Sequence, residues 1–231
     1  MKAHALSLAL VVAVSLTARA DFTLVQKVEG KGKAGEITLK IKGDKIRMEA
    51  TPETTMIVDG RTGDMITLMN AKKRIVRISG DKAKAIAEMA AKYGGMTAEK
   101  PKIVPTGKKM TVLGYEADEY VAEGKKFKAR YWIAPSFPNS AAILKQLQTV
   151  IPPAWNDLAK GTIDYRDLPG LPLRTEITVD GDNIISTVVA VKVDALSDAD
   201  FLPPKDFQEV KIPNVQEMSA DQPAPAVSPK P

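Results

Sequence analysis

KKMTVLGYEADEYVAEGKKFKARYWIAP, residues 108–135, decides how the rest of the chain is read. Apolar and polar residues alternate along it, and Glu123-Gly124 offers a tight turn. On its last strand Phe127, Ala129, Tyr131 and Ile133 stand on one side, and Lys128, Arg130, Trp132 and Ala134 on the other. A period of two in β-branched and aromatic residues predicts three consecutive strands that cover a core with one face.

Upstream the same period recurs. Residues 22–28 predict a strand, and residues 36–42 another, with Ile37, Leu39 and Ile41 in strict alternation. Between them Gly30, Gly32 and Gly35 match the G-x-G-x-x-G dinucleotide fingerprint. That fingerprint needs a helix next, whose N-terminus receives the pyrophosphate. A strand follows instead, so the glycines mark a hairpin turn and the nucleotide reading is rejected. Residues 45–50, 54–58, 64–70 and 74–79 complete an antiparallel meander, with turns at Gly43-Asp44, Asp59-Gly60 and residues 70–73.

The period then changes. Ile86, Met89, Ala90 and Tyr93 recur at helical spacing over residues 81–93, with Asp81 as cap and Gly94-Gly95 as stop. A loop through Pro101 and Pro105 leads into the opening stretch. Residues 138–151 predict a second helix, ended by Pro152-Pro153, with a short helical turn at residues 154–160. Residues 171–179 and 183–195 form a hairpin across Asp180-Gly181-Asp182, and residues 200–210 close the domain as an edge segment. The expected class is mainly β (α+β), with about ten or eleven strands and two helices. Sheets of that size curl. The expectation is one domain, residues 21–212: an unclosed half-barrel of antiparallel strands whose concave face is covered by the two helices.

The ends differ in kind. Lys2, the apolar run 5–16 and Ala18-Arg19-Ala20 make a signal peptide, residues 1–20, with the cut after Ala20. The run is shorter than the ~20 apolar residues a span needs, and no cysteine follows the cut to carry a lipid. Export to the periplasm or beyond is expected, with no transmembrane span after cleavage. Residues 213–231 are rich in proline and alanine and lack an apolar pattern, which predicts a disordered tail.

Composition excludes several chemistries. The chain has 33 basic and 28 acidic residues, and the leader takes two basic residues and none acidic, leaving +3. The surplus is scattered over turns, so no nucleic-acid stripe is present. The single histidine, His4, lies in the leader, and cysteine is absent. Ser-His-Asp and Cys-His catalysis, histidine acid/base chemistry, the usual zinc sites and disulfides are thereby excluded. Ser79-Gly80-Asp81-Lys82 spells Ser-x-x-Lys, but the S-D-N and K-T-G elements of that active site are missing, and a strand end with a helix cap explains it. Glu116 and Asp118 share a strand face and could form an acid/base pair or a hard-cation site. Pairing with lysines on neighbouring strands is the favoured reading. No enzyme activity, cofactor or metal is expected.

One cluster points to binding. Met48, Met56, Met65 and Met69 lie on the early strands beside Ile46, and Ile86 and Met89 lie on the first helix. Methionine is flexible and suits surfaces that accept varied apolar partners. These residues are the candidate lining of an apolar cavity; ordinary core filling is the plainer alternative.

Five stretches together resemble a bacterial domain-of-unknown-function family of exported proteins, related in fold to the periplasmic lipoprotein carriers LolA and LolB. They are residues 43–48 (GDKIRM), residues 112–120 (VLGYEADEY), Tyr131-Trp132-Ile133-Ala134, Gly170-Leu171-Pro172-Leu173 and Asp200-Phe201-Leu202-Pro203-Pro204. The family often has a cysteine where this chain has Ala117, so any role of that thiol is absent here. The resemblance covers residues 21–211 and implies an unclosed β-barrel plugged by helices, which in the carriers opens to hold acyl chains. It transfers no individual lipid-binding residue. The reading it favours is a non-enzymatic binding protein for a lipid, lipoprotein acyl chain or hydrophobic segment. The alternative is an interaction module that docks on another cell-envelope protein and takes no ligand.

Overall fold

The alternation over residues 22–78 becomes six strands: β1 (Phe22–Gly30), β2 (Lys33–Lys42), β3 (Lys45–Thr51), β4 (Thr54–Asp59), β5 (Met65–Met69) and β6 (Arg74–Ile78). After α1 (Gly80–Tyr93) come β7 (Ile103–Val112), β8 (Tyr115–Glu123) and β9 (Phe127–Ala134). Then follow α2 (Ser140–Thr149), β10 (Leu171–Val179), β11 (Asp182–Val193), a 3-10 turn at Asp198–Phe201 and β12 (Gln208–Val210). The structure, a computed structural model, describes residues 21–30, 33–93, 101–124, 127–150, 168–179 and 181–210. The expected signal peptide, the turn at residues 154–160 and the C-terminal tail lie outside the described residues.

All the strands join one mainly β sheet in the order β12-β6-β5-β4-β3-β2-β1-β11-β10-β9-β8-β7, open at both edges. It holds twelve strands where ten or eleven are expected. The twelfth is three residues long and pairs in parallel with β6, Gln208 beside Arg74 and Val210 beside Val76. A run that short, among prolines, carries no period to read. The other difference is at Pro105, expected in a loop but found inside β7. As an edge strand β7 tolerates a proline, and a bulge between Pro105 and Lys109 follows it. The rejected nucleotide loop is a hairpin, with Gly30 at the end of β1 opposite Lys33 of β2.

The sheet curls. α2 starts close to the end of β9, through turns in which Phe137 N–H donates to the Ala134 carbonyl and Ser140 N–H to the Phe137 carbonyl. Its other end reaches Gly60, between β4 and β5: a Cβ there would lie 2.7 Å from Val150 Cα. Those two places are six strand positions apart, an arc of ~29 Å at ~4.8 Å per step. The ten residues of α2 span ~15 Å. Only a bent sheet brings the ends of so short a chord together.

Two cores result. The larger gathers Phe22, Leu24, Ile41, Trp132, Leu171, Leu173 and Val188 with Ile143 and Leu144 of α2 and Val150 just past its end. The smaller, on the opposite face of the meander, joins Ile57, Leu68 and Ile75 to Phe201, with Ile66, Leu196 and Phe207 beside it. The opening stretch also departs from one buried face. Ala122, Ala129 and Ile133 are buried on one side of β8 and β9, but so are Ala117, Trp132 and Ala134 on the other. The Arg174 guanidinium, 5.5 Å from the Trp132 ring centroid, helps to close that second side.

The two helices are not equivalent. α2 buries Ile143, Leu144 and Gln146. In α1, Ala83 is buried while Ile86 is 41% exposed. Its cap is Ser79 rather than Asp81: the Ser79 hydroxyl accepts from Lys82 N–H at 3.4 Å, and Ala83 N–H donates to the Ser79 carbonyl. Among the described residues α2 packs into the larger core, whereas α1 buries Ala83 and leaves Ile86 exposed.

Candidate functional site

The strand registers bring the predicted methionines onto one face. Ile46 stands opposite Ile41 and Val58, and Met48 opposite Leu39 and Met56. Met65 faces Val58 and Ile78, and Met69 faces Thr54 and Arg74. Leu39 and Ile41 in turn lie opposite Leu24 and Phe22, so all five side chains share the face that carries the larger core. Ile46 packs against that core. Met48, Met56 and Met65 are half-buried, and Met69 is 36% exposed. Of the helical candidates, Met89 is half-buried and Ile86 is exposed.

The filled part of this face ends along a line across the sheet. Phe22 and Leu24 are in the core, but the next residues of β1 on that face are Gln26 and Val28. Val188 is in the core, but the next on β11 are Ser186, whose buried hydroxyl has no partner, and Ile184, 45% exposed. Past that line a Cβ on Gly35, opposite Val28, would meet nothing within 4 Å. Beyond α2 the inner face is thus apolar and only partly covered by described residues.

The outer face of the same strands is sealed by the chain itself. Residues 196–210 cross it as a strap, placing Phe201 on Ile57, Leu68 and Ile75. Polar contacts hold the strap down. Lys42 Nζ donates to the Leu196 carbonyl at 2.6 Å and pairs with Asp198 at 3.0 Å. Lys40 pairs with Asp200 at 3.3 Å, and Arg47 donates to the Asp200 carbonyl at 3.0 Å. Asp21 accepts from Leu196 N–H at 3.0 Å. Further on, Lys73 binds Asp206 at 2.7 Å and Arg77 binds Glu209 at 2.9 Å. The hydrogen bond to Lys73 holds the Asp206 carboxyl below its usual range and raises Lys73 in return.

Beside the strap, at the strand ends, is a half-open cleft of about 370 Å³. Ile57, Ile66 and Phe201 form its apolar part, and Lys45, Asp59, Asp64 and Arg77 its polar part. Both carboxylates are engaged in turns. Asp59 accepts from Arg61 and Thr62 N–H, and Asp64 from Gly80 N–H. Met65 lines this cleft as well, so one predicted residue borders both features.

The carboxylate pair of β8 is accounted for by ion pairing. Lys109 Nζ lies 2.6 Å from Glu116 and 3.6 Å from Asp118, and those contacts raise the lysine's pKa, the hydrogen bond to Glu116 most. Glu119, the third carboxylate of that strand, is the buried one, at 6% exposed. Thr106 Oγ1 donates to it at 2.5 Å, and Lys108 Nζ is 4.0 Å away. Gly107, with a φ of +78°, lies in the β7 bulge next to Thr106. Among the described residues no group of three or more Asp or Glu could hold a metal ion, and no helix is long and apolar enough to cross a membrane.

An open, mainly β sheet with two helices and this order of motifs defines the class. The chain belongs to the family described as Domain of unknown function (DUF4412), whose model matches residues 22–207. No curated protein matches the sequence. Among solved structures it is similar to PNGF-II at 16% identity and a TM-score of 0.43, covering 87% of this chain and 33% of that one. It is similar to a chain of the Pseudomonas aeruginosa MucA/MucB complex at 10% identity and a TM-score of 0.43, over 84% of this chain and 59% of that one. It is also similar to the Mycobacterium tuberculosis lipoprotein LppX at 13% identity and a TM-score of 0.35, over 74% and 89%. The chain thus spans a third of the length of PNGF-II.

Proposed function

We propose that this protein is a non-enzymatic binding protein for an apolar ligand, a lipid or acyl chain, held on the inner face of the curled sheet. The observation that carries this reading is the contrast along that face. A filled core under α2 gives way to half-buried Met48 and Met56 and to open space over Gly35. Methionine adapts to chains of varied shape, and a concave apolar surface beside a rigid core is the usual form of a ligand site. In this reading the leader, residues 1–20, is removed after Ala20, the domain acts in the periplasm or outside the cell, and residues 213–231 form a flexible tail.

The test is native mass spectrometry of the full chain isolated from its own cell envelope without detergent. A lipid-sized mass on the wild type, lost in Met48→Lys and Met56→Lys, is expected; protein that carries no such mass counts against the reading. The docking-module alternative would place a partner strand on a sheet edge. Pro105, the β7 bulge and Lys108 oppose strand addition at one edge, and the other edge strand, β12, offers only three residues. Nothing therefore raises that reading above ligand binding.

A further inference from the structure

Strands β2–β6 and β12 pair in direct rows, and directly paired residues share a face. One inner row runs Leu39, Met48, Met56, Thr67, Val76 and Val210. On one side of it lies the row Ile41, Ile46, Val58, Met65 and Ile78. On the other side lies the row Thr54, Met69, Arg74 and Gln208. Arg74 is the one ionisable residue in the three rows.

Packing and pairing within the chain do not account for that cation. On the outer face of the same strands Lys40, Lys42 and Arg77 are paired with Asp200, Asp198 and Glu209. Arg74 is exposed and, among the described residues, has no ion pair or side-chain hydrogen bond. Charge at a sheet edge discourages strand addition, but β12 covers β6 at this point, with Gln208 beside Arg74. Its other neighbour, Met69, is 36% exposed, so apolar surface runs up to the guanidinium.

The position suits the end of a ligand. Arg74 lies two strands and one row from Met56, which is ~10 Å across the sheet and ~7 Å along it, or ~12 Å in all. A chain lying over Met48 and Met56 can set its end group there. A guanidinium is permanently charged and weakly hydrated, and its planar fork matches the paired oxygens of a phosphate or carboxylate. Its aliphatic stem lies on apolar surface while the head stays in water.

We infer that the ligand of the inner face is an anionic amphiphile, and that Arg74 receives the oxyanion, phosphate or carboxylate, at its polar end. This rests on the apolar-ligand reading above and adds a charge that burial of hydrocarbon does not specify. Arg74 then selects ligands by head group, while Met48 and Met56 accept the tail.

The test measures displacement of the dye N-phenyl-1-naphthylamine from the full chain by dodecyl phosphate and by dodecanol, both in monomeric form. Wild type is expected to prefer the phosphate by about tenfold, the size of one charge-assisted hydrogen bond, and less so as salt is raised. In Arg74→Gln the two probes are expected to come near parity while dodecanol displaces the dye as before, which also reports a folded variant. Arg61→Gln, on the turn between β4 and β5, removes the same charge elsewhere and is expected to leave the preference intact. Inorganic phosphate at constant ionic strength is expected to leave it intact too; if it abolishes the preference, Arg74 serves a free anion and the amphiphile is overturned. A preference that survives in Arg74→Gln, or is lost equally in Arg61→Gln, overturns the assignment of Arg74 and leaves the apolar site standing. Failure of both probes to displace the dye from wild type overturns the apolar-ligand reading, and this inference with it.

Discussion

The two faces of strands β3–β6 are built from the same kinds of residue and end differently. On the outer face Ile57, Leu68 and Ile75 are 5%, 0% and 4% exposed, because the chain's own last fifteen described residues cross them. On the inner face Met48, Met56 and Met65 remain half-buried and Met69 reaches the surface. The outer set is β-branched or γ-branched and stiff, while the inner set is unbranched and adaptable. The strap covers the face with rigid side chains, and among the described residues the face with pliable ones has no such cover. Of the two apolar faces, the one that the described residues leave partly open is the face proposed above to take a ligand.

That difference is open to attack in order of size. Phe201→Ala should cost about 3–5 kcal/mol, the range for a buried phenylalanine, in urea denaturation. A loss of well under half that would mean the strap is not what seals the outer face. Gly60→Ala should cost about 1–3 kcal/mol, since the new methyl group meets the Val150 backbone at 2.7 Å and must push α2 away. The same variant should loosen apolar-dye binding, because it acts on the helix packed into the larger core. Met56→Ala should cost only about 1 kcal/mol, as half of a side chain's full burial is lost. If Met56→Ala destabilises as much as Leu68→Ala, the inner face is filled core and the contrast between faces disappears.

Smaller effects concern the polar edge of the strap. Lys42→Ala should cost about 1 kcal/mol through the lost bond to the Leu196 carbonyl, and most of that cost should survive added salt, because the acceptor is neutral. The pH dependence should be the shallowest. Lysine partners hold Glu29 and Glu123 below their ordinary value of 4.5, and Lys73 holds Asp206 below 3.8. Their stabilisation is present above those ordinary values and lost as pH falls through the depressed ones. Lys73 and Lys109 are raised above 10.5, so their contribution is complete below 10.5 and lost as pH rises past it. Thermal melts should therefore be flat between 4.5 and 10.5 and decline gently outside. A slope near neutrality would point to a group other than these.

Much of this was legible because period two survives wherever a strand has one wet face. The alternation of Ile37, Leu39 and Ile41 marks β2, while the shared face of Met48 and Met56 shows only in the strand register. The strap was not legible as a lid. It covers Leu68 with a single aromatic from a 3-10 turn between prolines, and one aromatic has no period. Pro105 argued for a loop and lies in a strand, since an edge needs only half of its hydrogen bonds. The place of Arg74 was invisible for a different reason: it reads as the third of three consecutive cations at a turn, and only the register sets it on the inner face.

The order of strands has a consequence for how the molecule comes into being. β1, near the start of the domain, sits between β2 and β11, and its partner residues on β11 lie more than 150 positions further along. Asp21 likewise waits for Leu196. Until β11 exists, the meander β1–β6 has a bare edge at β1 and an apolar outer face without its strap. A ribosome or a translocation channel would therefore deliver almost the whole chain before the sheet could close. Folding dominated by such distant pairings is slow, and a fragment that stops before β11 should aggregate through the edge of β1 rather than persist as a smaller domain.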